Sequence, residues 1–308
     1  MQTQKQHIYF GSIMVLVSAI AFSSKAIIVK LAYVYAVDAA TLIALRMLFS
    51  IPFFVGLAIW ARSKHTQDAL SRKELVGIVL LATVGGYGSM WLNFAGLQYV
   101  TAGLERVILF LYPTMVVLMS AAVFKRAISR REVFALAASY AGVILVVWHD
   151  VSVPHDASVK TLLGALLVLA SAIVYAAYLV CSGRIIPRLG ASLFTAYTML
   201  IATVASAAHF AISEDIQVAM HLPAQVYWLC LLMAVVATVL PSVLMNIGIQ
   251  HLGSSKAALM SSIGPVSTIF LAYLFLGEKV TLVQLLGTAL VLLGVLAISL
   301  GKRLEHKP

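Results

Sequence analysis

The sequence predicts an all-α membrane protein: ten transmembrane helices, as two inverted five-helix repeats around a central cavity. Three observations predict it. The 308 residues are 62% hydrophobic and only 10% charged, whereas soluble domains carry about 25% charged residues. The apolar residues fall into ten continuous runs. The first five runs resemble the second five, while the charge flanking them reverses.

The runs are approximately 8–31, 39–60, 75–98, 101–124, 132–148, 161–182, 190–212, 225–250, 255–276 and 281–300. Most approach the roughly 20 residues that cross about 30 Å of hydrocarbon. Each is continuous rather than alternating. A helix satisfies its own backbone hydrogen bonds in lipid, so helices are predicted rather than strands. The first run has features of a secretory signal, with Lys5 before it and Ala19-Ile20-Ala21 as a cleavage-like site. It is longer than a signal core, and a related segment recurs at 164–182, so it is read as a retained helix. The connections 61–74, 149–160 and 213–224 are too short for another folded domain.

Two registers carry the duplication. Gly11, Ser18, Ala19, Ile20 and Phe22 match Gly164, Ser171, Ala172, Ile173 and Tyr175 at one offset. Gly96, Gln98, Pro113 and Gly142 match Gly248, Gln250, Pro265 and Gly294 at an offset one residue shorter. The halves are therefore 1–150 and 151–308. Five spans is an odd number, so the second copy enters the membrane from the opposite side. Charge agrees. Arg62, Lys64, Arg72 and Lys73 follow span 2, whereas Glu214 and Asp215 follow span 7. Lys125, Arg126, Arg130 and Arg131 follow span 4, whereas Glu278 and Lys279 follow span 9. Arg184 and Arg188 follow span 6; the loop after span 1 is nearly free of basic residues. Basic residues collect on the cytoplasmic side of bacterial inner membranes, which places both termini in the cytoplasm. The net charge of +10 is thereby explained. No basic stripe with interleaved aromatics lies outside the spans, which excludes nucleic-acid binding.

Inverted repeats characterise secondary transporters, whose substrate lies near the midplane where the repeats meet. No G-x-x-x-x-G-K-[ST] loop is present, so ATP is not the direct energy source. Cys181 and Cys230 lack C-x-x-C spacing and read as small core residues. His209, His221 and His251 lie near span ends or in loops and form no H-E-x-x-H pattern. No metal, no cofactor and no enzymatic activity are expected.

The stretch Gly253-Ser-Ser-Lys-Ala-Ala-Leu, then Gly264-Pro265, Leu276-Gly277-Glu278-Lys279, Gln284, Gly287 and Gly294 resembles the EamA-type branch of the drug/metabolite transporter superfamily. The first-half counterpart is Gly103-Leu104-Glu105-Arg106 through Tyr112-Pro113, then Phe124-Lys125-Arg126, Ser129 and Glu132. Lys125-Arg126 stands where the family pattern has Gly-Glu. The resemblance covers nearly the whole chain. It implies ten helices around a cavity and export, with coupling to an ion gradient; it does not name the substrate.

Charges within a span are costly and face a cavity or one another. Lys25, Arg46, Glu105 and Arg106 each lie roughly 8–12 Å below the outer end of their helices. This layer of three cations and one anion suits a substrate carboxylate or phosphate. Snorkelling to the interface is the competing account for Lys25 and Arg106. Glu105 is either the partner of a neighbouring cation or a proton carrier that couples transport. The second copy lacks these charges: Lys25 aligns with Tyr178, Arg46 with Met199, and Glu105-Arg106 with Ala257-Ala258.

Ser18, Phe22 and Lys25 share a helix face, as do Ser171, Tyr175 and Tyr178, and as do Tyr87, Trp91 and Phe94. Such stripes serve packing or binding; mid-span Tyr and Trp need partners for their OH and NH. Phe22, Tyr87, Trp91, Ser171, Tyr175 and Tyr178 therefore join Lys25, Arg46 and Arg106 as candidate substrate contacts. Pro113 and Pro265 are matched kinks, either fixed bends or hinges. Gly85-Gly86-x-Gly88 is expected to permit close helix packing.

The leading functional reading is a secondary transporter that exports amino acids or similar small metabolites by alternating access. Its partners are a small-molecule substrate, the bilayer and candidate protons, with a monomer as the simplest assembly. The alternative is export of lipophilic cations. A channel or a membrane enzyme fits less well, because neither a charged ring or filter loop nor a catalytic constellation is visible.

Overall fold

A computed structural model describes residues 2–64, 71–125, 127–152, 158–213, 217, 221–252, 257 and 260–305. Arg126, Glu214, Asp215, Ala258 and the stretch from Gly253 to Lys256, all used in the sequence argument, lie outside the described residues.

The membrane helices, numbered α1 to α10, are α1 (Gln2–Tyr33), α2 (Ala39–Lys64), α3 (Arg72–Leu97), α4 (Ala102–Val123) and α5 (Arg130–Ser152) in the first half. In the second half they are α6 (Ser158–Ser182), α7 (Ala191–Ser213), α8 (Ala224–Leu252), α9 (Gly264–Leu276) and α10 (Leu282–Glu305). Eight are long and apolar enough to span a bilayer; α9 and the apolar part of α10 are shorter. Large apolar residues such as Trp148, Ile212, Phe270 and Leu282 point outward, as lipid demands. Cys230 is buried as expected, but Cys181 is exposed; on an outer helix face, lipid replaces the core as its apolar surroundings.

Local chemistry sets the helix ends. Ser71 and Glu74 form a capping box at the start of α3, and Ser129 and Glu132 exchange the same bonds before α5. Each box satisfies backbone amides that a helix start leaves unpaired. The Asp38 carboxylate accepts from the Thr41 amide at 2.7 Å and caps α2. Thr101 Oγ1 accepts from the Leu104 amide at 3.1 Å and caps α4. Helix α9 ends at Gly277, whose φ of 65° is left-handed. Its first-half counterpart Lys125 keeps a left-handed φ of 50°. Glycine adopts that conformation freely; a lysine does so at a cost of about 1–2 kcal/mol. The departure from the family pattern at Lys125 thus leaves the turn geometry in place and adds strain.

The duplication is visible in the packing. Helix α1 packs on α8 and α9, as α6 packs on α3 and α4. Helix α2 packs on α8 as α7 packs on α3, and α2 meets α7, α4 meets α9 and α5 meets α10. The matched glycines sit at these crossings. A Cβ on Gly96 would lie 2.7 Å from Val168 Cγ2 and 2.9 Å from the Gly164 carbonyl; a Cβ on Gly248 would press on Val15 and the Gly11 carbonyl. Gly142 faces the Gly287 carbonyl, and Gly294 faces Ser139 and the Ala135 carbonyl. Since 139 meets 294 and 146 meets 287, α5 and its counterpart α10 run antiparallel, which is the signature of inverted copies.

Ser18 Oγ donates to the Pro241 carbonyl at 2.7 Å, and Ser171 Oγ donates to the Ser89 carbonyl at 2.7 Å. Helix α4 is broken by a turn at Phe110–Leu111, and a turn at Ser262–Ile263 precedes α9. Pro113 and Pro265 lie in the first turn after these breaks, where a missing amide costs little. Two π-helical segments, Leu81–Gly88 in α3 and Val235–Val239 in α8, also stand at matched positions. Of the Gly85-Gly86-x-Gly88 set, Gly85 makes the tight approach, beneath Tyr178.

Candidate functional site

One end of the bundle brings together the last third of α1, the start of α2, the last turns of α3 and the start of α4. Three of the four intramembrane charges meet there. Lys25 Nζ donates to Asn93 Oδ1 at 2.9 Å. Asn93 Nδ2 donates to Glu105 Oε1 at 2.6 Å. Lys25 Nζ itself lies 3.9 Å from that oxygen. The amide of Asn93 thus bridges ammonium and carboxylate, so that one side chain from each of α1, α3 and α4 forms a single polar chain. Glu105 is wholly buried, and the Lys25 side chain keeps 20% of its surface open. The chain therefore has a dry end at Glu105 and an accessible end at Lys25.

Arg46 enters from α2. Its guanidinium carbon stands 5.3 Å from the centroid of Phe94, and Lys25 Nζ stands 5.9 Å from the same ring. Arg46 Nη2 contacts Met90 Sδ at 2.7 Å. An aromatic face and a thioether soften a buried cation but do not neutralise it. Arg106 lies over Phe110 at 5.9 Å and presses on Gly264, where a Cβ would come within 2.8 Å of Nη2. That glycine opens α9, and its carbonyl accepts from Ser23 Oγ at 2.9 Å. Arg106 thus reaches from the first half to the break in the second. Glu105 Oε2, Arg46 Nε and Arg106 Nε are buried with no protein partner among the described residues.

Of the charged groups, Lys25 has an aromatic counterpart, Tyr178, which stands in a row of rings. Tyr112 and Tyr175 meet edge to face at 5.3 Å, Tyr175 and Tyr178 stack at 6.0 Å, and Tyr178 leans on Phe194 at 6.0 Å. Tyr175 and Tyr178 are thus brought together. Tyr87 and Trp91 converge on His209 of α7: the Tyr87 hydroxyl pairs with His209 Nδ1, and the Trp91 and His209 rings meet at 5.8 Å. Phe22 is half-buried on α1. Ser171 is buried and committed to the Ser89 carbonyl.

Asn93, His209 and Glu278 join the site in the structure although none was a candidate contact by sequence. Asn93 carried a readable signal: an amide in the apolar interior of a span needs partners. His209 was placed by number near a helix end, and its contacts appear only once α3 and α7 are packed. Glu278 accepts from the Ala102 amide at 2.8 Å and the Gly103 amide at 3.3 Å. A residue of the α9–α10 loop thereby holds the start of the helix that carries Glu105.

The EamA-like transporter family matches residues 9–148 and 162–300. The chain is 31% identical over 283 residues to "Uncharacterized transporter YcbK" of Bacillus subtilis (strain 168), covering 90% of this chain and 88% of the relative. It is 25% identical over 266 residues to "Uncharacterized inner membrane transporter YicL" of Salmonella typhimurium, covering 84% of each. A solved crystal structure at 16% identity superposes with a TM-score of 0.63 over 96% of this chain and 99% of the other, a likeness of fold alone.

Proposed function

This chain belongs to the EamA-like transporter family, and from that premise we propose that it exports amino acids or similar small metabolites by alternating access. It is a multi-pass membrane transporter rather than an enzyme. The finer reading rests on one observation. The buried polar layer leaves Glu105 Oε2, Arg46 Nε and Arg106 Nε without protein partners. A purely structural network in lipid would satisfy its members, because each buried orphan costs about 1–3 kcal/mol. This layer instead holds donors and a carboxylate in reserve, where α4 of the first half meets α9 of the second.

In this reading residues 1–150 and 151–308 are the two rocking units, both termini are cytoplasmic, and the membrane is a bacterial inner membrane, the one named for the Salmonella relative. Substrate enters from the cytoplasm and meets Lys25, Arg46 and Arg106, with Tyr175 and Tyr178 as its aromatic wall. Glu105 carries the coupling proton: protonation weakens its hold on Asn93 and Lys25 and frees the layer to change partners. Pro113 and Pro265 hold fixed bends beside the breaks in α4 and α9. Export of lipophilic cations is disfavoured, because Glu105 is buried, held by Asn93 and screened by Lys25.

The test is efflux from proteoliposomes loaded with amino acids, with wild type beside Lys25→Ala, Arg46→Ala and Glu105→Gln. Loss of efflux in the cation variants, and loss of its response to an imposed pH gradient in Glu105→Gln, is expected. Undiminished efflux in both cation variants refutes the assignment.

A further inference from the structure

The polar layer carries more positive charge than its own residues balance. Lys25, Arg46 and Arg106 share this layer with one carboxylate, Glu105, which is already bound to Asn93 and 3.9 Å from Lys25. Lys25 lies in electrostatic reach of both arginines. Two other acids at this end are committed elsewhere. Asp38 holds the Thr41 amide and hydroxyl at 2.7 and 2.5 Å, and Glu278 holds the amides of Ala102 and Gly103. Among the described residues no carboxylate forms an ion pair with Arg46 or Arg106. Arg46 is 5% exposed, and its guanidinium meets the Met90 sulfur and the Phe94 ring. Uncompensated charge at such depth is expensive.

A solute with a single negatively charged site, a neutral amino acid included, leaves one guanidinium unmatched. We infer that the transported solute carries two negative charges, on two carboxylates or on one doubly ionised phosphate, which offset Arg46 and Arg106, while Glu105 balances the charge of Lys25. The inference rests on the export reading and narrows its substrate class to dicarboxylates, acidic amino acids or phosphate monoesters. Guanidinium groups suit carboxylate and phosphate alike, because their planar donors match paired oxygens.

The experiment uses the purified full-length protein in two arms: thermal unfolding in detergent, and exchange in proteoliposomes. The probes are succinate, L-glutamate, glycerol 3-phosphate and L-glutamine, the last matching glutamate in shape with one charge fewer. At least one doubly anionic probe is expected to stabilise the protein and to exchange, with L-glutamine ineffective. A response to glycerol 3-phosphate alone assigns the pair of charges to phosphate; a response to succinate or L-glutamate assigns it to carboxylates. Arg46→Gln and Arg106→Gln are each expected to weaken that response by roughly tenfold or more. Arg46→Lys and Arg106→Lys, which keep the charge, retain more of it than the Gln variants. The wild-type comparison stands even where a variant fails to fold. L-Glutamine matching L-glutamate, or silence from every doubly anionic probe, overturns the inference. Efflux of L-glutamine with such silence leaves the export reading intact. Binding of a doubly anionic probe with no exchange of any solute sinks the export reading and spares the site.

Discussion

The Ser18 hydroxyl donates to the Pro241 carbonyl across the α1–α8 interface at 2.7 Å. Its counterpart Ser171 makes the same bond, at the same length, to Ser89 across α6–α3. Each serine is buried, so Ser18→Ala and Ser171→Ala should each lower stability by about 1 kcal/mol. The two sites share no partner, so the double variant should show the sum. Denaturant titration of the detergent-solubilised protein measures both. A double variant no worse than either single would show that the bonds are not independent.

Gly96→Ala and Gly248→Ala should be disruptive for a steric reason. The new Cβ meets a neighbouring valine and a backbone carbonyl on the facing helix, and backbone cannot step aside without parting the helices. A loss of about 1–3 kcal/mol is expected. Gly56→Ala and Gly77→Ala are the controls, because a Cβ at either meets nothing within 4 Å. Those should be neutral, or stabilising by up to about 1 kcal/mol. Thermal unfolding of the four variants would contradict the packing if the two pairs behaved alike.

Asn93→Leu removes the bridge between Lys25 and Glu105 while preserving volume. Breaking a buried ion pair's support is expected to cost about 2–4 kcal/mol and to abolish efflux. Adding Lys25→Met and Glu105→Leu to the same chain removes the stranded charges and should recover much of the stability, with transport still absent. Stability tracking efflux through the whole series would make the trio merely structural.

Lys125→Gly should stabilise the protein. The left-handed φ of 50° at Lys125 strains a side-chain-bearing residue, and glycine relieves about 1 kcal/mol of that strain. The exposed position leaves few contacts to lose. A lower unfolding midpoint in this variant would remove the strain argument.

Opposite insertion of the halves has a direct test. In a background free of Cys181 and Cys230, Asp68→Cys should react with an impermeant thiol reagent only from the cytoplasmic side, and Gln217→Cys only from outside. Reaction of both from one side would end the mirrored arrangement.

The helices were legible because lipid imposes continuous apolar runs, and the repeat was legible because its matched glycines are steric necessities. Gly11, Gly96, Gly142, Gly164, Gly248 and Gly294 all stand at helix crossings. Lys25, Arg46 and Glu105 stood out by the cost of charge in hydrocarbon. The site's wiring was less visible. Asn93 carries no charge, and its partners lie on two other helices. Glu278 looked like a loop acid, because the amides it caps belong to the other half of the chain. The π-helical segments carry no proline, and the glycines of the first have no counterpart in the second; the shared feature becomes visible only as a slipped hydrogen-bond register.

Those two segments date the parts of the molecule. An irregularity at the same register in both halves is most simply inherited from the single unit that was copied, together with the glycine crossings and the breaks before Pro113 and Pro265. The Lys25–Asn93–Glu105 chain occurs in one half only, so it arose after the copies fused, or survived in one after fading from the other. The ancestral unit would then have paired with an inverted copy of itself about a two-fold axis in the membrane plane, and a gene encoding one chain per subunit could not have given its two sides different charges.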